Sequence, residues 1–442
     1  MAVGNQTRGD ARGILEAAPL GRRRALPFPQ TPQQLDLNLA FVADLALKTL
    51  SIDAKGTTAS VSESVKLGLV ITDTVLQQLY RENLIEMKGS IALHNNRYRM
   101  LERGWARVSQ LMSVCSYVGP APVTLESYTR MIVNQMRGRP PVTKDVLDQT
   151  LSHLVLPENV KRTLGVVLSS GRSLFLSGPP GNGKTAIARA LVDAITQALW
   201  IPYAIEVDGQ VIRVFDRHVH HPEKSDDDDF DPRWVRVRPP LLVVGGELTI
   251  ESLDLVATET PRFYEAPFQL KANGGVLLVD DFGRQRCSAK QLLNRWIIPL
   301  ENRVDSLTLS TGKKIDIPFE QLIVFATNLT DTDLVDEAFM RRMGYRLSVS
   351  RPSWPTYTEI FRRTAADYGL TVDDRSIERL GKRYKAEDRV PNACEPRDLI
   401  VRAADLCHFE HQELTLTDEI LAMAWDGYFG TPSEQRSRRI FR

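Results

Sequence analysis

The chain has 442 residues, of which 43% are apolar and 25% charged, a composition typical of globular proteins and long enough for about three domains. Its 56 Lys and Arg residues nearly balance 55 Asp and Glu residues, so no global charge favours nucleic acid or an anionic membrane as a partner. Four widely spaced cysteines without a C-x-x-C motif argue against a disulfide framework and against a zinc site.

Localisation signals are missing from the sequence. No run of about eighteen apolar residues predicts a membrane span, and the N-terminal stretch contains arginines but no apolar core of a signal peptide. A cytoplasmic protein is therefore expected.

The N-terminal third of the chain predicts a tail and a small α+β domain. Residues 1–34 are rich in Gly, Arg, Pro and Gln, which is typical of a flexible tail. Helical spacing of apolar residues follows over 37–50, 62–68 and 70–83, and alternation within 84–101 predicts a β-hairpin. Three helices and a hairpin describe a winged helix, which we assign to residues 35–136.

The third predicted helix is poorly suited to DNA. Residues 70–83 carry one cation, Arg81, against Asp73 and Glu82, whereas phosphate contacts need Lys and Arg. The predicted hairpin offers three cations, Lys88, Arg97 and Arg99. A protein-contact or packing role is favoured for this domain, and DNA binding stays open as the alternative.

A glycine-rich loop follows a predicted linker at 137–150, whose Pro, Gly and charge content is typical of linkers. Its residues fit G-x-x-x-x-G-K-[ST] without a mismatch. They are Gly178, Pro179, Pro180, Gly181, Asn182, Gly183, Lys184 and Thr185.

The chemistry of such a loop is phosphate binding. Between a strand and a helix, its backbone N–H groups point at a phosphate chain, and the helix N-terminus adds positive partial charge. Lys184 is expected to reach the β- and γ-phosphates and the Thr185 hydroxyl to bind Mg²⁺, so ATP and Mg²⁺ are the expected cofactors. A plain Gly/Pro turn is the alternative, and the apolar run before the loop and the helical pattern after it argue against that.

The segment after the loop is longer than a minimal nucleotide-binding fold requires. Two alternating stretches within 203–215 meet at Asp208 and Gly209 and predict a hairpin. Three histidines and four aspartates follow: His218, His220, His221 and Asp226 to Asp229. A solvated acidic loop is favoured over a metal cluster, and no metal is assigned there.

Polar side chains end two later apolar stretches. Asp280 and Asp281 follow 276–279, and Asn328 follows 322–327. Because the carboxyl ends of parallel strands present ligands, Asp280 suits Mg²⁺ through water and Asp281 suits polarisation of the attacking water. The Asn328 amide is placed to touch the γ-phosphate or that water. An ordinary turn after the first strand and a capping Asn after the second are the alternatives.

Three arginines complete the set of candidates. Arg341 and Arg342 follow a short predicted helix, and Arg397 begins a helix in a C-terminal helical region. Any single arginine is more often a solvated surface residue than a catalytic one.

The order of these motifs resembles that of the AAA+ ATPases over roughly residues 145–430. By that resemblance residues 178–185 are the Walker A motif and 276–281 the Walker B motif. Asn328 corresponds to sensor 1, Arg342 or its neighbour Arg341 to the arginine finger, and Arg397 to sensor 2. The second Walker B acid is usually Glu and is Asp281 here, which bears on the hydrolysis rate more than on nucleotide binding.

The resemblance implies an α/β fold: a P-loop NTPase parallel sheet with a helical lid, preceded here by the α+β winged-helix domain. It places the core at 151–350, the lid at 351–430 and a tail at 431–442. Residues 263–281 resemble the helix-2 insert of MoxR-type ATPases. Residues 307–328 resemble their pre-sensor-1 hairpin, with Lys313 and Lys314 near its tip.

As a whole the chain resembles a group of bacterial proteins described only as predicted ATPases with chaperone-like activity. That resemblance implies a homo-oligomeric ring, a hexamer being expected, that couples ATP hydrolysis to remodelling of an unidentified protein client. A DNA-associated ATPase anchored by the winged helix and a slow nucleotide switch are the two alternatives.

Overall fold

The computed structural model describes residues 28–224, 230–256, 263–328 and 341–430. The chain divides into two compact units. The first lies within Met1–Val108, Gly119–Ala121 and Ser225–Trp234, and the second within Ser109–Val118, Pro122–Lys224 and Val235–Arg442. The predicted tail at 431–442, most of that at 1–34 and the four aspartates at 226–229 lie outside the described residues.

The first unit contains three helices and a hairpin, in the predicted order. They are α1 (Leu39–Ile52), α2 (Thr58–Val65), α3 (Leu69–Arg81), β1 (Ile85–Ala92) and β2 (Asn95–Met100), followed by α4 (Glu102–Val114). Helix α2 begins earlier than expected because the Thr57 side chain accepts the Ser60 N–H, and it ends where Lys66 turns left-handed with φ of 56°.

A buried carboxylate lies on α3. Asp73 is 3% exposed, it accepts hydrogen bonds from the amides of Gln77 and Asn96, and its Oδ2 lies 2.9 Å from Nδ1 of His94. Counting Asp73 as a surface charge that opposes DNA was therefore wrong, since the hairpin residues cover it. The exposed charges of this helix end are Arg81 and Glu82.

The second unit is built on a five-stranded parallel sheet, which confirms the predicted α/β class. Its strands are β4 (Leu174–Ser177), β9 (Leu241–Val244), β11 (Val276–Val279), β14 (Leu322–Thr327) and β15 (Tyr345–Ser348). They lie in the order β15-β4-β14-β11-β9. Every residue of β11 and β14 is buried, which is why these strands are continuous apolar runs without alternation.

Apolar layers cover both faces of the sheet. On one face pack α7 (Glu158–Ser170) and α8 (Lys184–Asp193) through side chains such as Leu164 and Ile187. On the other face α10 (Ala289–Asn302) buries Trp296 against Phe325. Side chains on both faces lose contact with water, and this burial is the main stabilising term for the sheet.

The structure departs from the expected division between domain and linker. Residues 137–150 include α6 (Lys144–Thr150), whose Leu147 belongs to the core beside the sheet. Helix α5 (Leu125–Arg137), expected to close the N-terminal domain, belongs to the second unit. The Gln135 side chain pairs with both backbone groups of Trp200 there. The proline content suggested a linker, but these buried contacts make the segment part of the second unit.

The remaining strands of the described residues form smaller sheets. They are β3 (Val123–Thr124), β5 (Leu199–Pro202), β6 (Ala204–Val207), β7 (Gln210–Arg213), β8 (Trp234–Val237), β10 (Tyr264–Glu265), β12 (Val304–Thr308) and β13 (Lys314–Pro318). The pairs β6–β7 and β12–β13 are antiparallel, which confirms both predicted hairpins. Their ends meet, since Lys313 Nζ lies 2.5 Å from Asp208 Oδ2, and the last short helix here is α9 (Phe268–Lys271).

Four helices form the expected C-terminal helical region. They are α11 (Trp354–Asp367), α12 (Asp374–Ala386), α13 (Glu395–Phe409) and α14 (Asp418–Phe429). Their core is rich in aromatic residues, with Tyr357, Tyr384 and Trp425 all buried. Within the described ranges, none of the helices combines the length and apolarity of a membrane span.

Candidate nucleotide site

The glycine-rich loop connects β4 to α8 at the carboxyl edge of the sheet. Gly178, Gly181 and Gly183 all have positive φ, at 141°, 76° and 85°. A Cβ on Gly178 would lie 2.2 Å from the carbonyl oxygen of Val349, so only glycine fits there. Gly183 caps α8 without a side-chain hydrogen bond, which leaves the first N–H groups of that helix facing the loop.

Lys184 is held inside this loop. Its Nζ donates to the carbonyl oxygens of Gly178 at 2.8 Å and Pro179 at 3.0 Å, and to Asn328 Oδ1 at 2.6 Å. The residue is 7% exposed. Burial lowers the pKa of Lys184, and the charges of Asp280 and Asp281 oppose that shift. All three acceptors are neutral, so none of them neutralises the positive charge that an anionic ligand would meet.

The Thr185 hydroxyl and the first acid of the pair lie together. Thr185 Oγ1 donates to Asp280 Oδ2 at 2.9 Å, and Asp280 Oδ1 accepts the Asp281 N–H at 3.0 Å. A hydroxyl and a carboxylate beside a phosphate-binding loop are the hard oxygen donors that Mg²⁺ prefers. The residues present therefore fit the expected metal, with Thr185 and Asp280 as the groups that would hold it.

Asn328 connects the lysine to the second acid. Its Nδ2 donates to Asp281 Oδ1 at 3.0 Å while its Oδ1 accepts from Lys184. Asp281 is exposed and has φ of 47°, an uncommon conformation for a residue other than glycine and one that recurs at functional sites. The fold is that of a P-loop NTPase.

A glutamine that the sequence analysis missed stabilises the turn of the two acids. Gln285 Nε2 donates to the carbonyl oxygens of Asp280 at 2.9 Å and Asp281 at 3.2 Å. Its Oε1 accepts the Gly283 N–H at 2.8 Å. No motif or periodicity marks this residue in the sequence, because its contacts are to backbone groups of a turn.

The N-terminus of α13 lies against the glycine-rich loop. The Cys394 N–H donates to Gly181 O at 2.8 Å, and the Ala393 N–H donates to Asn182 Oδ1 at 3.1 Å. Arg397 follows in the first turn of this helix and is exposed. Within the described ranges its side chain makes no hydrogen bond or ion pair. Arg397 was predicted at the start of this helix, whereas no sequence pattern predicts the contact of Cys394 with the loop.

Arg341 and Arg342 lie at the opposite, amino edge of the sheet. They precede β15, where the Gly344 N–H donates to Ser173 Oγ, just before β4 begins. Arg342 Nε lies 2.5 Å from Glu301 Oε1. Since a four-residue strand spans about 13 Å, the structure does not bring these arginines to the phosphate loop of the same chain.

A comparison with protein-family models matches part of the chain. A family model described as "Domain of unknown function (DUF8689)" matches residues 354–427, within the C-terminal helices. Among curated proteins, none matches the chain.

Solved structures resemble the chain at low identity. A mutant of RuvB from Thermotoga maritima is 17% identical over 65% of this chain and 73% of that chain, with a TM-score of 0.36. RuvB from the same organism, described as a Holliday junction branch migration motor, is 15% identical over 65% and 72%, with a TM-score of 0.36. NtrX from Brucella abortus in complex with ATP is 15% identical over 71% and 64%, with a TM-score of 0.38. The fold assignment rests on the sheet order and the loop geometry.

Proposed function

We propose that the chain binds ATP together with Mg²⁺ and hydrolyses the γ-phosphate. The observation that carries this proposal is the continuous set of hydrogen bonds from Lys184 through Asn328 to Asp281, beside the contact of Thr185 with Asp280. Each residue lies at the carboxyl end of a parallel strand or at the start of the following helix. These residues come from three separate stretches of the sequence and lie together at one edge of one sheet.

The residues divide the chemistry among them. The loop N–H groups and Lys184 bind the phosphate chain and stabilise the charge that develops on it. Mg²⁺ held by Thr185 and Asp280 would supply further charge compensation. Asp281 is placed to accept a hydrogen bond from the attacking water and to polarise it, and Asn328 holds the Asp281 carboxylate in position.

The direct test is Lys184→Ala. Binding of a fluorescent ATP analogue and release of phosphate should both be abolished, because the ammonium has no substitute in the loop. Lys382→Ala, on the exposed face of α12, is the control and should behave as the parent does. An active Lys184→Ala variant would contradict the assignment of the phosphate loop.

We further propose that a second copy of the chain completes the site with Arg342 or Arg341. Both lie at the amino edge of the sheet, away from the phosphate loop of their own chain, and an arginine supplied by a neighbour can raise phosphoryl-transfer rates by about 10³-fold or more. Mixed Lys184→Ala and Arg342→Ala subunits should regain some activity. No recovery at any ratio, together with a monomer by light scattering, would count against the ring.

The work that we propose for such a ring, a hexamer in the cytoplasm, is remodelling of a protein client. The hairpin β12–β13 is joined to the start of β14 at the amino edge of the sheet, and β14 ends next to Asn328. A change at the γ-phosphate would therefore reach the hairpin through a shift of that strand. The hairpin tip is not free, because Lys313 pairs with Asp208 and Tyr264 pairs with Ser310. The two hairpins are therefore proposed to act as one element. Affinity capture with Asp281→Asn would identify the client.

A DNA-associated ATPase is the second candidate. The cations of the first unit decide how well it could bind DNA. If its helices and hairpin act as a winged helix, the hairpin cations would contact phosphate. Lys88 already pairs with Glu86 at 2.7 Å, and Arg99 lies 3.9 Å from the same carboxylate. Weak or no duplex binding is expected. Submicromolar affinity at physiological salt with a steep salt dependence would favour the DNA-associated function.

A nucleotide switch with slow turnover is the third candidate, because Asp281 is one methylene shorter than the Glu usual in AAA+ ATPases. Tight ATP binding with hydrolysis no faster than in Asp281→Asn would favour the switch. Multiple turnovers in the parent would favour the motor.

A further inference from the structure

A cavity lies at the amino edge of the parallel sheet, away from the candidate nucleotide site. Its volume is about 490 Å³, within the range of pockets that bind small-molecule ligands. The described residues that line it include four arginines and one carboxylate, namely Arg172, Arg303, Arg341, Arg342 and Glu301. Guanidinium groups therefore lie on several sides of this cavity.

The decisive residue in this cavity is Gln321, directly before β14. It is 1% exposed, and neither its Oε1 nor its Nε2 has a hydrogen-bond partner among the described residues. Buried amides are almost always paired, because leaving both groups unpaired and away from water is unfavourable. Gln321 lines the cavity, so a polar ligand there would satisfy the amide.

The arginines identify the chemistry of that ligand. Arg172 is exposed at the end of α7, and Arg303 lies at the end of α10, where its guanidinium donates to the Gly171 carbonyl. Planar guanidinium groups bind phosphate and carboxylate oxygens bidentately. Arg341 and Arg342 already interact within the chain, Arg342 with Glu301, so Arg172 and Arg303 are the cations left for a ligand. Two guanidinium groups at one cavity favour a ligand of more than one negative charge.

We propose that this cavity binds a phosphate-bearing ligand, with Gln321 donating an amide hydrogen bond and Arg172 and Arg303 supplying charge. Two sources share this chemistry. One is a free phosphate compound, and the other is the phosphate chain of a nucleotide bound to a second copy. The second source rests on the proposed ring, whereas the first does not.

The test uses pyrophosphate as the probe and the Lys184→Ala chain as the background, so that the phosphate loop does not compete. Calorimetry should find one binding event per chain. Gln321→Leu keeps the size of the side chain, and Arg172→Met keeps its apolar stem. Each should weaken binding about tenfold or more. Arg162→Met changes an exposed arginine of α7 that does not line the cavity and should leave binding unchanged.

Absence of pyrophosphate binding would overturn the proposal, as would equal binding by Arg172→Met and Arg162→Met. Because Arg172 is exposed, its variant tests the cavity independently of any change in packing that Gln321→Leu causes. Turnover in the otherwise native chain separates the sources. A fall in ATPase rate with unchanged nucleotide affinity in both variants indicates a neighbour's nucleotide, and parental rates indicate a free compound. If the native chain binds pyrophosphate at this cavity but does not hydrolyse ATP, the proposed function is contradicted and the cavity proposal stands.

Discussion

The two edges of the parallel sheet differ in how their polar groups are satisfied. At the carboxyl edge Lys184, Asp281 and Asn328 are joined by hydrogen bonds to one another. At the amino edge the buried amide of Gln321 has no hydrogen-bond partner among the described residues and lies beside an arginine-lined cavity. Both edges belong to the same strands, since β14 runs from one to the other. A site whose groups satisfy each other before a ligand arrives is preorganised, whereas a site that leaves an amide unpaired depends on its ligand for that pairing.

The largest effect is expected at the carboxyl edge, with Asp281→Asn. Hydrolysis should fall by about 10²- to 10⁴-fold while ATP binding persists, because the amide cannot polarise water as a carboxylate does. Asn tolerates the left-handed backbone that Asp281 adopts, so the turn should be preserved. Phosphate release and binding of a labelled nucleotide are the two measurements. Asp281→Glu should retain activity, and parental turnover in Asp281→Asn would remove this acid from the mechanism.

A glycine pair tests how closely the C-terminal helices hold the phosphate loop. Alanine at Gly181 and at Gly183 meets similar backbone strain, since both have positive φ. A Cβ on Gly181 would also lie 2.6 Å from Cys394 Sγ, whereas nothing lies within 4 Å of one on Gly183. Gly181→Ala should therefore lower the free energy of unfolding by about 1–3 kcal/mol more than Gly183→Ala.

Chemical denaturation measures that difference, and Cys394→Ala in the Gly181→Ala background should recover most of it. Equal losses for the two glycines would show that the loop and the helix N-terminus are not in close contact.

Gln285→Ala should have a smaller effect on turnover. The variant loses two hydrogen bonds that hold the carbonyl groups of Asp280 and Asp281, each worth about 1 kcal/mol. We expect kcat to fall about tenfold with little change in KM. Gln412→Ala, whose amide bonds only to exposed Glu410, is the control. A change confined to KM would mean that Gln285 affects binding rather than the position of the acids.

The smallest effect concerns the amino edge and is a gain in stability. Gln321→Leu removes a buried amide that has no partner in the described part of the chain, and it should raise the free energy of unfolding by about 1 kcal/mol. Gln269 is equally buried, but its Nε2 donates to Leu253 O and Asp305 Oδ2. Gln269→Leu should therefore destabilise the chain. Thermal unfolding of both variants without ligand is the measurement. A loss of stability in both variants would contradict the comparison.

The carboxyl edge could be predicted largely from the sequence. Residues 178–185 form a contiguous motif, and Asp280, Asp281 and Asn328 each end an apolar stretch, so local order was enough to place them. The residues that were missed act through distant contacts. Gln285 binds backbone carbonyls, and Cys394 meets a glycine more than two hundred positions away. Neither contact leaves a pattern in the surrounding sequence.

The departures in the fold have the same origin. A capping threonine and a left-handed lysine set the bounds of α2, which apolar spacing alone placed too late. The composition of residues 137–150 predicted a linker, but Leu147 is buried in the core beside the parallel sheet. Asp73 was counted as a surface charge because its partners, His94 and Asn96, come from the hairpin.

By itself the sequence determined the class of the fold and the candidate residues of the nucleotide site. Continuous apolar strands require a sheet covered on both faces, and a glycine-rich loop between a strand and a helix presents N–H groups that suit a ligand phosphate. Only the tertiary structure decided which side chains meet across the sheet. The arginine cavity combines the ends of α7 and α10 with the starts of β14 and β15. That Gln321 is buried with no partner among the described residues is a result of packing, which no local pattern encodes.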